Sequence, residues 1–571
     1  MISKINKFYP NIKLSKIFLL ALISFGYGAA TIITIYIVTS LVSIISGAQT
    51  LDTSALIALL TEMLKSNFDL NAKLSHIVIG FFSLTLMVIL GSTKIYYVAK
   101  IVSNARHDLS LNILKKSLKI NSVFKDKTHV GNMKTLILDE TFQISTQLLK
   151  PTIEIMASLI FIFVILINLF FYDPKITILA TIIFSVAYLI SYLSTQSLIK
   201  KHGQARLTTN KQRFKKVDDA LSLRLLSNVL KTIDLFTSRF TADSKKMARH
   251  VYLFEFIQQF PKIIIEAIIF LVVFLMVVIG LNDADSKVAE IIFVQSMVFF
   301  ALSGLKMLPE FQRIYQSLGL LKFGSASQEG VLKVLNFKDL PIFEKKFQQK
   351  ILSNKNKDEQ KLILEFECDA CFNGDAKILK KINLNIFEGD RIAITGKSGS
   401  GKTTLLNALM GIIPIDINGE KGFFKSDAKV GYLPQETNLF SGTVLENIHM
   451  GRELSDKKHN FIKDTTVSLF PEFKIKTVDT LLNRLIDDVS TGLSVGQKQR
   501  VGLLRAIYDN PEILILDEFT SALDKKNEEI IINYIDNFKV YKSLIVVGHN
   551  SASIKICKKI YTLNNGEMFE V

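Results

Sequence analysis

Arg391-Ile392-Ala393-Ile394-Thr395-Gly396-Lys397-Ser398-Gly399-Ser400-Gly401-Lys402-Thr403-Thr404 is the stretch on which the reading of this chain turns. Its first five residues predict a buried strand, residues 396–403 fit G-x-x-x-x-G-K-[ST], and Thr404 to Met410 carry a helical pattern. In that strand, loop, helix order the glycines let backbone N–H groups of Gly396, Lys397, Ser398, Gly399, Ser400 and Gly401 wrap phosphate oxygens, and the helix start beside Thr404 adds positive potential. Lys402 is then expected to reach the β- and γ-oxygens of a nucleotide, and the Thr403 hydroxyl to ligate Mg²⁺.

Working outward, Ile382 to Ile386 alternates as a strand and Glu388-Gly389-Asp390 turns into the loop-bearing strand. Downstream, Ile513-Leu514-Ile515-Leu516-Asp517-Glu518 is an apolar strand ending in two carboxylates. Asp517 is expected to hold the metal through water, which leaves Glu518 to polarise an attacking water as general base.

The rest of the chain has a different character. Over 571 residues, 49% are hydrophobic and only 21% charged, too apolar for an ordinary soluble enzyme. Six apolar runs are long enough to cross a bilayer as helices, at about 17–45, 74–100, 152–172, 175–197, 262–281 and 289–309. The net charge of +17 collects between them, in 101–151 and 198–258, while Asp173-Pro174-Lys175 and 282–287 are sparsely charged. Basic loops stay inside, so the N-terminus and those two segments are expected to be cytoplasmic in a multi-pass inner or plasma membrane protein, and nucleic acid is set aside as a partner. Both inner segments are helical in pattern, so the spanning helices are expected to continue into the cytoplasm.

Asp52 to Asn67 places Leu56, Leu59, Leu60, Met63 and Leu64 on one helical face behind Thr53 or Ser54, as an interfacial helix or a packed loop helix would. Glu154 and Glu266 lie at or in apolar runs, where a carboxylate is costly unless partnered. Lys262 sits one turn before Glu266, so either an i,i+4 pair or a place in a substrate cavity accounts for Glu266. Pro309 falls in a helical pattern and should bend it. Between about Ser325 and Gln360 periodicity fades, which divides the chain into a membrane domain at 1–325, a linker at 326–360 and a nucleotide domain at 361–571. Cys368, Cys371 and Cys557 are an odd set; with no second pair beside Cys368-x-x-Cys371, inert thiols in a reduced compartment are expected rather than zinc.

Leu493-Ser494-Val495-Gly496-Gln497-Lys498-Gln499-Arg500 resembles the signature sequence of ABC transporters. Gly431-Tyr432-Leu433-Pro434-Gln435 looks like the family's Q-loop, Ser521-Ala522-Leu523-Asp524 its D-loop, and Val547-Gly548-His549 its switch histidine. With six spans in front, the resemblance is to exporter half-transporters: a polytopic α-helical membrane domain with long cytoplasmic extensions, then an α/β P-loop ATPase domain. It implies ATP and Mg²⁺ as cofactors and transport-coupled ATP hydrolysis. It further implies that two chains dimerise, each ATP lying between one P-loop and the other chain's Ser494, Val495, Gly496 and Gln497. By the same resemblance Phe372 stacks on adenine, Gln435 contacts metal and attacking water, His549 holds the γ-phosphate and Asp524 lies at the dimer contact. The tips near Val123 to Thr128 and Asn228 to Asp234 would dock on the ATPase.

Val495 departs from the usual first glycine of the signature pair, adding a side chain where backbone meets phosphate. A homodimer is expected, with a heterodimer as the alternative. Lys306 to Ile314, Tyr96 to Phe124 and the outer helix are loosely similar to bacterial lipid-linked oligosaccharide flippases, which implies an amphipathic substrate, a lipid or lipid-linked glycan. A peptide, toxin or drug exporter is the alternative. A membrane-anchored regulatory ATPase is disfavoured, because six spans and long arms would be superfluous.

Overall fold

The computed structural model describes residues 8–10, 13–45, 62–63, 66, 72–119, 133–283, 287–324, 331–332, 334–335, 361–373, 376–412, 422–425, 428–473, 476–487, 492–521, 523–537, 540–549 and 551–571. These fall into two compact units, one helical and one mixed, taken separately below.

In the helical unit every apolar run of the sequence lies within a long helix: α1 (Leu14–Ile45), α2 (Ala72–Lys119), α3 (Met133–Tyr172), α4 (Pro174–Ser222), α6 (Ile233–Asp283) and α7 (Lys287–Phe323), with the short α5 (Arg224–Val229) between α4 and α6. Among the described residues, α1 to α4 are long and apolar enough to cross a membrane. The helices outrun their apolar stretches: α2 has 48 residues, about 70 Å at the α-helical rise, far more than hydrocarbon requires. Asp173 starts α4 by accepting from the N–H groups of Lys175 and Ile176 at 2.9 and 3.1 Å, with Pro174 at the first helical position.

Helices α1, α3 and α7 share a core of Ile35, Phe161, Ile165 and Phe299, and the rings of Tyr172 and Phe299 stack at 4.5 Å. Pro309 lies inside α7, as the pattern suggested, and Pro261 lies inside α6. The N-terminal part of α3 contains two π-helical turns, Leu136–Glu140 and Ser145–Leu149, which periodicity does not announce. Beside the second, buried Tyr9 hydrogen-bonds Ser145 at 2.9 Å, tying the chain start to α3. Val331 and Val334 are buried in this unit and Lys116 donates to the Leu335 carbonyl, so packed structure reaches into the stretch expected as linker. The outer segment 52–67 (apart from Glu62, Met63 and Ser66) and the tip 123–128 lie outside the described residues.

The mixed unit is built on a six-stranded sheet in the order β11-β10-β3-β9-β8-β5, with β3 (Arg391–Thr395), β5 (Val430–Leu433), β8 (Ile513–Asp517), β9 (Ser543–Val547), β10 (Lys559–Asn564) and β11 (Glu567–Glu570). All neighbours are parallel except β10 and β11. Strands β8 and β9 are buried along their whole length, the continuous apolar runs that a sheet covered on both faces requires. A second, antiparallel sheet orders β2 (Ala376–Phe387), β1 (Leu362–Asn373) and β4 (Gly422–Lys425), and a short ribbon pairs β6 (Gly442–Thr443) with β7 (Leu485–Ile486) beside α9 (Asp456–Leu469), whose Ile462 and Leu469 join the same buried cluster as Ile486. Within β1, Cys368 is buried and disulfide-bonded, where an inert thiol was expected; residue spacing carries no sulfur geometry. Cys557 is the free cysteine among the described residues.

Candidate active site

Strand β3 delivers the glycine loop to the N-terminus of α8 (Lys402–Leu409). Two glycines are dictated by geometry. Gly396 has φ +146°, and a Cβ there would lie 2.3 Å from the Leu563 carbonyl; Gly401, with φ +105°, is the left-handed N-cap of α8. The buried Lys402 folds back so that Nζ donates to the Gly396 carbonyl at 2.6 Å, stands 3.2 Å from His549 Nε2 and 4.0 Å from Glu518 Oε1. Ser400 Oγ is buried with no hydrogen-bond partner among the described residues, as a hydroxyl awaiting an anionic oxygen would be.

Asp517 and Glu518 close β8. Glu518 takes a left-handed backbone, φ +41°, held by its N–H donating to the Val547 carbonyl at 2.8 Å. Such a conformation costs a non-glycine residue about 1 kcal/mol or more and persists where surroundings impose it. Gln435 Nε2 donates to Glu518 Oε2 at 3.1 Å, and Tyr432 Oη donates to Asp517 Oδ2 at 3.3 Å. Burial first, and then the neighbouring Glu518 charge, raise the Asp517 carboxyl above its usual range. Burial, then the Asp517 charge, push the Tyr432 phenol up to about 12, so it stays a donor at neutral pH. Asp517 and the exposed hydroxyl of Thr403, in the first turn of α8, are the hard oxygen donors that Mg²⁺ takes, so the residues fit that ion.

The structure therefore brings together Lys402, His549, Glu518 and Gln435, with Asp517 beside them. Thr404 is buried in the first turn of α8. Phe372 lies on β1 opposite Lys377, and its side chain is outside the described residues. The signature stretch stands apart: among the described residues no hydrogen bond or ion pair joins Ser494, Val495, Gly496 or Gln497 to the glycine loop. Ser494 caps α10 (Val495–Ile507) in a reciprocal capping box with Gln497, at 3.2 and 3.0 Å. Val495 is its first residue and 54% exposed, so its methyls face outward. Gly496 is needed because a Cβ would press on Asn527 at 2.8 Å. Asp524 accepts from the Asn527 N–H at 2.8 Å at the start of α11 (Lys525–Asn537), so signature and D-loop meet at Asn527.

In the helical unit Glu266 pairs with Lys262 at 3.7 Å, both about 40% exposed, which is the i,i+4 pairing foreseen. Glu154 pairs with Lys150 at 3.9 Å. Sequence reasoning missed a stronger cluster: Lys94 on α2 and Glu310 on α7 form a buried ion pair at 3.1 Å, joined by Arg313 at 2.7 Å and by Ser158 on α3. A lysine in the interior of the apolar run 74–100, six residues before Lys100 at its end, and a glutamate directly after Pro309 were the available signals. It also missed Gln499, buried on α10, whose Nε2 donates to the Gln435 carbonyl while its Oε1 accepts from Thr437 at 2.9 Å.

The family model described as the ABC transporter transmembrane region matches residues 17–304, half of the chain, and the model described as ABC transporter matches residues 379–521. The chain belongs to the ABC transporters. It is a multi-pass helical membrane domain fused to an ABC ATPase domain. This ABC transporter chain is 34% identical over 210 residues to multidrug resistance protein pgp-1 of Caenorhabditis elegans, covering 34% of this chain and 15% of that protein. It is 35% identical over 207 residues to a Staphylococcus aureus protein described as a multidrug export ATP-binding/permease protein, covering 35% of this chain and 36% of that one. The matched part thus spans about a third or less of these relatives' own length. A solved structure of a bacterial Atm1-family ABC exporter with ATP bound superposes with a TM-score of 0.71 at 18% identity, covering 98% of this chain and 95% of that one, which shows a shared fold.

Proposed function

We propose that the chain is one half of an ATP-driven exporter, in which ATP hydrolysis by the mixed unit moves an amphipathic substrate outward through the helical unit of a plasma or inner membrane. The observation that supports this most is the convergence of Lys402, His549 and the Gln435-bound Glu518 at the mouth of the glycine loop. In this reading the loop amides, Lys402 and Ser400 hold the phosphates, and Glu518 accepts the proton of the attacking water that Gln435 orients. His549 steadies the γ-phosphate. Mg²⁺, carried on Thr403 and Asp517 with Gln435 nearby, would offset charge developing on the phosphate oxygens. Ser494, Val495, Gly496 and Gln497 would complete the site of a second chain, as Asp524 and Phe372 would complete the nucleotide contacts, and closure of that sandwich would drive the outward-facing state. The second chain is read as a copy of the first; the altered Val495 keeps a different half-transporter as the other reading.

Two substrate classes are in play. Resemblance outside the ATPase favours a lipid or lipid-linked oligosaccharide, with Glu266 near the cavity. Against it, the Lys94 charge is taken up by Glu310 and so offers little to a pyrophosphate head, and the names of the relatives favour drugs. The test is ATPase activity of the purified chain in vesicles, with a polyprenyl-pyrophosphate sugar fraction or with hydrophobic cations and peptides. Stimulation by the first alone supports the flippase reading, and by the second alone the drug or peptide reading; no activity with either points to a missing partner chain.

A further inference from the structure

We infer that Tyr432 is a positioning residue for Asp517, so that one strand and the loop after it orient both carboxylates of the site. This rests on the reading of Asp517 as the residue that holds the metal. Strand β5 runs parallel to β8 with Tyr432 opposite Ile515 and Leu433 opposite Leu516, which sets the phenol alongside the strand end where Asp517 emerges. The strand cannot easily slide: a Cβ at Gly431 would lie 2.3 Å from the Ala506 carbonyl and 2.8 Å from Pro511, so β5 is pressed backbone-close onto α10. Its side chains then alternate, Tyr432 packing beside the cluster of Ile513 and Ile515 while the buried Leu433 joins the cluster on the other face.

From that fixed base Tyr432 Oη donates to Asp517 Oδ2 at 3.3 Å. Three residues on, Gln435 Nε2 donates to Glu518 Oε2 at 3.1 Å. A carboxylate rotates freely about its last torsion, so one hydrogen bond to Oδ2 selects an orientation and leaves Oδ1 for the cation or its water. Groups that orient metal-holding carboxylates in this way are worth roughly 10- to 100-fold in metal affinity. Tyr432 touches neither nucleotide nor water in this scheme; it acts through Asp517.

The test uses the full chain in detergent with a non-hydrolysable ATP analogue, Mn²⁺ affinity read by electron paramagnetic resonance, and nucleotide affinity read in EDTA. Tyr432→Phe should weaken Mn²⁺ binding roughly tenfold, leave nucleotide affinity in EDTA unchanged, and raise the Mg²⁺ needed for half-maximal ATPase more than it lowers the maximal rate. Tyr432→Leu, a second apolar replacement, should behave alike. Unchanged Mn²⁺ affinity in both variants, with Asp517→Ala losing it, overturns the role of Tyr432 alone. Unchanged affinity in Asp517→Ala overturns the metal reading beneath it. An equal fall in nucleotide affinity with and without metal makes Tyr432 a packing residue and also overturns the proposal.

Discussion

Lys94 Nζ donates to Glu310 Oε1 at 3.1 Å, joining α2 to α7 across more than 200 residues, with both side chains less than 8% exposed. Glu310 also receives Arg313 and the Ser158 hydroxyl, so its charge is shared among three helices, α2, α3 and α7. A buried pair of this kind is costly to break from one side, because the remaining charge is stranded. Lys94→Met should therefore lower stability by about 3 kcal/mol, and Lys94→Met with Glu310→Met should recover much of that loss. Thermal unfolding in detergent reads both; a neutral single variant would show that the pair contributes nothing.

Glu518→Gln should reduce ATP turnover by about 100-fold or more, the usual worth of a general base, while ATP remains bound. Its backbone φ of +41° and its bond from Gln435 do not depend on the charge, so the fold is retained. Single-turnover hydrolysis measures it, and turnover at the wild-type rate would remove Glu518 from the role.

Val495→Gly tests the departure in the signature. Val495 is 54% exposed at the first position of α10 and the Ser494–Gln497 capping box does not use its side chain. In the proposed dimer the methyls stand where the second chain's nucleotide would approach, so maximal ATPase should rise. An unchanged rate would mean that they obstruct nothing.

Gln499→Leu removes both bonds of a buried amide, one to the Gln435 backbone and one to Thr437. Stranding those partners should cost about 1–3 kcal/mol, and substrate-stimulated ATPase should fall while nucleotide affinity holds. Loss of stimulation without loss of binding is the outcome that separates a link between the signature helix and Gln435 from a general packing defect.

Cys557 should resist alkylation in the folded chain. Burial pushes its thiol up to about 12, so at pH 8 almost none is thiolate, the reactive form. Iodoacetamide followed by peptide mass spectrometry checks this, with labelling expected only after denaturation.

The sequence by itself determined the elements whose signal is local. The glycine loop between β3 and α8 was legible because its backbone conformation demands glycine at Gly396 and Gly401, and the carboxylates ending β8 because a wholly buried strand must be continuously apolar. The long helices were legible because hydrocarbon thickness sets a length that the chain must fill. What only the tertiary structure decided are the partnerships between distant residues. Tyr432 read as a strand residue, Gln499 as a letter of the signature, and Lys94 and Glu310 as unrelated charges 216 positions apart. Hydrogen bonds and ion pairs of this kind depend on register and on which helix faces meet, and neither leaves a periodic trace in the chain. The π-helical turns of α3 belong with them, since they conserve the helical pattern while rotating the side chains that follow.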